Sequence, residues 1–214
     1  MFKIKKLKED EETYFAHKYV KINRKSFETS VKAIDLKYYT PNVPIAYDTF
    51  VEEVYKTIDK TLLNGFMENG ENKERFNNNL KNILNNRVNP SNPLIFIPAL
   101  KTLDISTEQI KYLLLTQRYF DFYTVPTLMK SKSIFENYGN SAIEKYYLPM
   151  INECLKLVEE RSIEKHTIGS IPMTLPIKYI ESLLNVYLEF GIGAVLVDLQ
   201  GRTPFTVFQE LTSI

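Results

Sequence analysis

Residues 94–109 read Leu94-Ile95-Phe96-Ile97-Pro98-Ala99-Leu100, then Lys101-Thr102-Leu103-Asp104-Ile105, then Ser106-Thr107-Glu108-Gln109. A short apolar run of this kind has the form of a strand covered on both faces. Ser106 and Gln109 have the spacing of a capping box, in which each side chain satisfies the other's backbone amide. Ile110, Leu113 and Leu114 then supply one buried helical face. A strand that feeds a helix is half of a crossover, and strands joined by helices must pair in parallel.

The same unit recurs downstream. A strand is expected at 122–126, and Ser141-Ala142-Ile143-Glu144 reads as a second capping box. It opens a helix with Tyr147, Ile151, Cys154, Leu155 and Val158 on one stripe, which Pro149 should kink or restart. A third strand is expected at 166–172, then a helix capped by Thr174 with Pro176 in its first turn. Ile177, Ile180, Leu184 and Tyr187 face inward, and Gly191 or Gly193 supplies the left-handed stop. Ala194-Val195-Leu196-Val197-Asp198-Leu199 is the fourth strand, with a last helix from Thr203-Pro204 carrying Val207, Phe208 and Leu211. Pro98, Pro126 and Pro172 read as strand terminators.

The fold class is therefore α/β, with four consecutive βα units forming a parallel sheet over residues 93–214. An eight-unit barrel needs about 250 residues. The expectation is an open sheet, a half-barrel or TIM-barrel-like fragment, or the N-terminal part of a longer protein.

Residues 1–92 are expected to hold a β-hairpin plus two helices. The segment from Tyr14 to Ile22 alternates between apolar and polar, Asn23-Arg24-Lys25-Ser26 suits a turn, and Val31 to Leu36 alternates again. Pro41 and Pro44 end that strand pair. Asp48 reads as the cap of a helix with Glu52 and Glu53 in its first turn and Val51, Val54, Ile58 and Leu62 on one face. A second helix after Asn69-Gly70 shows Phe76, Leu80, Ile83 and Leu84, and Asn89-Pro90-Ser91-Asn92-Pro93 is the clearest linker.

Composition narrows the function classes. The chain has 214 residues, 44% hydrophobic and 25% charged, the mixture of a globular protein. One cysteine excludes an intramolecular disulfide and a Cys-based zinc site, so a cytoplasmic setting is expected. A net charge of +1 gives no global attraction to nucleic acid or anionic membrane, and no apolar run is long enough to span a bilayer.

Parallel βα folds bind ligands at the carboxyl ends of their strands, where loops and helix N-termini converge. That rule selects Lys101 and Asp104 after the first strand, Thr127 and Lys130 after the second, Thr174 after the third, and Asp198, Gln200, Gly201 and Arg202 after the fourth. Asp198 and Lys101 are the candidate catalytic pair, with Arg202, Gln200, Gly201, Thr174, Thr127, Lys130 and Asp104 as ligand-binding candidates. The plainer alternatives are an Asp198–Arg202 ion pair, a solvated Lys101 and a Thr174 that only caps its helix.

No cofactor or metal is expected: His17 and His166 lack partners at ligand spacing, and Cys154 falls on an apolar helix stripe. Lys3, Lys5, Lys6 and Lys8, interleaved with Tyr14 and Tyr19, give residues 1–40 a local excess of bases, 10 − 6 = +4. A frayed, charged terminus followed by an amphipathic hairpin accounts for the same residues, so nucleic acid is not the favoured partner.

Two function classes follow. One is a βα-barrel-like enzyme, or a fragment of one, that binds a polar or anionic small molecule or a nucleobase at the strand ends. Base exchange of the transglycosylase type is the analogous chemistry, since those barrel enzymes use a strand-end aspartate. The other is a non-catalytic assembly protein that uses an exposed sheet edge and aromatic surface, with a homo-oligomer as the expected partner and no membrane.

Overall fold

In the computed structural model the described residues are 2–9, 16–22, 24–29, 31, 33–37, 50–129, 134, 139, 141–163 and 166–200. Ten strands lie among them: β1 (Phe2–Glu9), β2 (Ala16–Ile22), β3 (Lys25–Glu28), β4 (Ala33–Asp35), β5 (Val51–Ile58), β6 (Leu94–Leu100), β7 (Tyr123–Thr124), β8 (Thr127–Leu128), β9 (Thr167–Pro172) and β10 (Val195–Asp198). The helices are α1 (Lys60–Glu68), α2 (Gly70–Arg87), α3 (Thr107–Thr116), α4 (Leu148–Glu160) and α5 (Ile177–Glu189).

β6 is buried at every position, as its unbroken apolar run requires. It pairs in parallel with β5 and with β8, and β5 pairs in parallel with β4. β9 pairs in parallel with β7 and β10. A bridge from Ile95 to Phe122 sets the start of the β7 segment beside β6. Val125 and Pro126 divide β7 from β8, because Pro126 has no amide to give a ladder. The parallel strands thus succeed one another in chain order from β4 to β10, and the protein is a mixed α/β fold.

Alternation divides the faces. Val54, Ile58, Leu94, Phe96 and Leu100 join the main core beneath the helices, with Phe66, Phe76, Leu113, Cys154, Ile180 and Tyr187. On the opposite face Ile22, Val51, Ile95, Ile97 and Phe122 form a second cluster, flanked by Phe27, Ala33, Tyr55, Ile168 and Leu196. Each large side chain buried this fully contributes about 1.5–3 kcal/mol. The antiparallel sheet β1-β2-β3 meets the parallel strands near their amino ends, where Phe27 packs edge-on against Phe122 and Lys25 pairs with Asp121 at 2.7 Å.

Several local expectations are corrected. Residues 51–58 are a strand, not the first turns of a helix capped by Asp48, and α1 starts only at Lys60 behind an Asp59 cap. The hairpin turn is tighter than expected, since β3 already begins at Lys25, and 33–35 pairs in parallel with β5 rather than back onto the hairpin. The basic N-terminal run is β1, hydrogen-bonded to β2 along its length, not a frayed terminus. Ser141 forms no capping box. The chain instead makes a wide turn over Ile143–Tyr147 before α4, whose first turn holds Pro149. Thr174 does not cap α5, which begins behind Pro176 without a side-chain cap. The expected helix from Thr203 lies outside the described residues.

The Ser106–Gln109 box is present with both bonds, Gly191 turns the chain out of α5 at φ +68°, and Cys154 is buried in the core. No helix among the described residues is long and apolar enough to cross a membrane.

Candidate active site

β10 carries Leu196 into the second cluster, so the period of two brings Asp198 to the same face at the strand's carboxyl end. By the same alternation β5 directs Val51, Glu53 and Tyr55 to that face. The Tyr55 hydroxyl donates to Asp198 Oδ2 at 3.3 Å, and the Thr127 hydroxyl, wholly buried, donates to the same oxygen at 3.0 Å. Gln200 adds two bonds, from Nε2 to Oδ2 at 3.1 Å and from its backbone amide to Oδ1 at 3.3 Å.

Gln200 reaches back this way because its backbone sits at φ +49°, a left-handed conformation that costs a residue with a Cβ about 1–2 kcal/mol. Its side chain also donates to the Leu128 carbonyl and accepts from the Thr174 hydroxyl at 3.2 Å. Thr174 is therefore a support for Gln200. Asp198 ends as the hub of donors from three separated strands or loops.

Glu53 shares this face. Burial is the main cause that pushes its carboxyl up, to about 7, and the negative charges of Asp35 and Asp198 push it further in the same direction. Burial likewise raises the Tyr55 phenol, helped by Asp198. A carboxyl that titrates near neutrality beside an acceptor carboxylate is the combination suited to general acid–base work.

Of the residues selected from the sequence, Asp198, Gln200, Thr127 and Thr174 come together here. Lys101 does not: it is exposed after β6, and among the described residues no bond joins it to Asp198. Asp104 is exposed and pairs on the surface with Lys60. Lys130, Gly201 and Arg202 lie outside the described residues.

Glu53 and Tyr55 were missed, because Val51, Val54, Ile58 and Leu62 mimic helical spacing. The β-branched and aromatic content of 51–58 was the signal for a strand.

Two open cavities lie off the hub. One of about 420 Å³ is lined by Asp35, Lys37, Tyr55, Lys56, Asn82 and Asn86 among others, and one of about 520 Å³ by Arg24, Lys25, Ser26, Pro90, Ser91 and Asp121. Only Tyr55 ties the first of them directly to Asp198. Among the described residues, no group of three or more His, Cys, Asp or Glu is arranged to hold a metal ion. Compared with protein-family models, curated proteins and solved structures, the chain matches none.

Proposed function

We propose that the chain is a βα-barrel-like enzyme whose active site is the Asp198 hub at the carboxyl ends of the parallel strands. The observation that carries this reading is the meeting of Tyr55, Thr127 and Gln200 on one carboxylate, with Glu53 on the same face, its carboxyl pushed up to about 7 chiefly by burial. Contact between β5 and β10 supports a barrel-like curl, because a flat sheet would hold them roughly 19 Å apart at about 4.8 Å per strand. The described lining is acidic, through Asp35, Glu53 and Asp198, which favours a neutral or protonated ligand rich in donors over an anion.

A nucleobase is such a ligand, and base exchange at a nucleoside is the reaction that uses both carboxyls. As the glycosidic C–N bond breaks, its electron pair leaves with the base, and the Glu53 proton moves to the departing nitrogen. The Asp198 carboxylate faces the positive charge left on the sugar carbon. The incoming base bonds to that carbon and returns a proton to Glu53.

The test incubates the 214-residue chain with each common nucleoside and a radiolabelled free base, and follows label in the nucleoside by chromatography. Exchange that is lost in Asp198→Asn and Glu53→Gln supports the reading. Absence of exchange and hydrolysis, together with no thermal shift from any nucleobase, overturns it.

A further inference from the structure

We propose that the outer face of the β1-β2-β3 sheet binds the phosphate backbone of single-stranded nucleic acid, independently of the Asp198 site. The register of the sheet sets Lys3 directly opposite Lys21, and Lys5 opposite Tyr19, one step further along the same face. Ser26 and Glu28 continue these two rows on β3. Residues Val20, Ile22 and Phe27 belong to the other face, where Val20 and Ile22 are buried and Phe27 packs on Phe122. The lysine face is therefore the one turned to solvent, and Lys3, Lys5 and Lys21 are all exposed.

Like charges directly opposite each other on a sheet destabilise it. Lys3 and Lys21 stand in that relation, and among the described residues neither they nor Lys5 take part in an ion pair. An anion laid across the rows relieves the repulsion. Lys3 and Lys5 are about 7 Å apart along β1, with Lys21 directly beside Lys3, so the lysines form a short basic row along which an extended phosphate chain can lie. Tyr19 in the second row supplies a ring for a base, the pairing of basic groove and aromatic platform that single-strand binders use. Glu28 beside it is the acidic member of the face and sets one edge of the track. The net charge of +1 for the whole chain does not oppose this, because the field that matters is local within a Debye length of about 10 Å.

Fluorescence anisotropy of the full chain with a labelled 20-nucleotide oligo(U) tests the proposal. Three neutralised phosphates predict a slope of about −2 for log affinity against log salt, a loss of about twenty-fold between 50 and 200 mM. The Lys3→Gln/Lys5→Gln/Lys21→Gln variant should lose most of the binding and of the slope while its melting temperature holds or rises. If that variant fails to fold, Lys21→Gln alone should reduce the slope by about 0.7. Tyr19→Leu should weaken binding about tenfold with the slope unchanged.

No binding at 50 mM salt, or equal binding by the lysine variants, overturns the proposal. So does an unchanged affinity in Tyr19→Leu, which would make the face a general polyanion site. Binding to phosphatidylserine vesicles without binding to the oligonucleotide overturns it in favour of a membrane surface.

Discussion

Tyr55 and Asp198 stand on strands four positions apart in the parallel series, yet the phenol donates to the carboxylate at 3.3 Å. A bond across that span ties β5, the second strand of the series, to β10, the last among the described residues. Tyr55→Phe removes one of four donors and keeps the ring packed. Its stability should fall by about 1 kcal/mol, read from urea midpoints, since Thr127 and Gln200 still satisfy the carboxylate.

Asp198→Asn separates chemistry from packing. The neutral side chain keeps its shape and relieves repulsion with Glu53, but it turns an amide toward one of its donors. These effects oppose each other, so unfolding free energy should move by no more than about 1 kcal/mol. Base exchange, where present, should drop by about a hundredfold or more. A large fall in stability with proportionate loss of binding would instead mark Asp198 as a structural tie.

Glu53 predicts a pH dependence of definite sign. Its folded carboxyl, near 7, is raised above the ordinary 4.5, so the folded chain holds a proton that the unfolded chain has released between those values. The stabilisation is full below pH 4.5 and is lost as pH rises through 7. The loss is at most roughly 3 kcal/mol at 1.36 kcal/mol per pH unit. Glu53→Gln should abolish this slope and be the more stable protein at pH 8. Parallel pH profiles for the two proteins would refute the assignment.

Glu52, the neighbour on β5, points to the opposite face and is wholly buried. Both its oxygens accept from the Asn89 amide, at 3.1 and 3.0 Å, and one from Asn92 Nδ2 at 3.1 Å. Burial raises its pKa, and the asparagine bonds and Lys25 draw it back. It clamps the turn that leads into β6. Glu52→Gln sets an NH₂ against a donor and should cost about 1–3 kcal/mol by chemical denaturation.

Gly169 on β9 has no room for a side chain, since a Cβ there would lie 2.6 Å from the Tyr187 ring. Gly169→Ala must displace a buried tyrosine. A loss of about 1–3 kcal/mol is expected in thermal unfolding, and trimming the ring with Tyr187→Leu in the same chain should return part of it.

The βα rhythm beyond residue 93 was legible because each strand is a short apolar run next to a helix with its own cap or stripe. That Asp198, Gln200, Thr127 and Thr174 come together followed from their places at strand ends. β5 was not legible. Its inward face is Val51-Glu53-Tyr55-Thr57 and its outward face begins with the buried Glu52, so neither face alternates cleanly in polarity. Two adjacent carboxylates, Glu53 on the inward face and Glu52 bonded to the linker, disguised a strand as a helix. The Tyr55–Asp198 bond was also hidden, because spacing along the chain does not say that side chains of β5 and β10 meet. Lys101 misled for the opposite reason: its position suited a ligand, while its long charged side chain is at home in water.

The break between β7 and β8 leaves the Ser170 backbone facing a gap, and the Tyr187 hydroxyl fills it, accepting from the Ser170 amide at 3.1 Å and donating to its carbonyl at 2.9 Å. The Ser170 hydroxyl meanwhile donates to the Val125 carbonyl at 2.6 Å. An interior amide is thus shielded by a helix side chain and not by a neighbouring strand. Its exchange with deuterium is timed by α5 lifting from the sheet, so one NMR resonance serves as a clock for helix undocking while the amides around it keep the time of the strands.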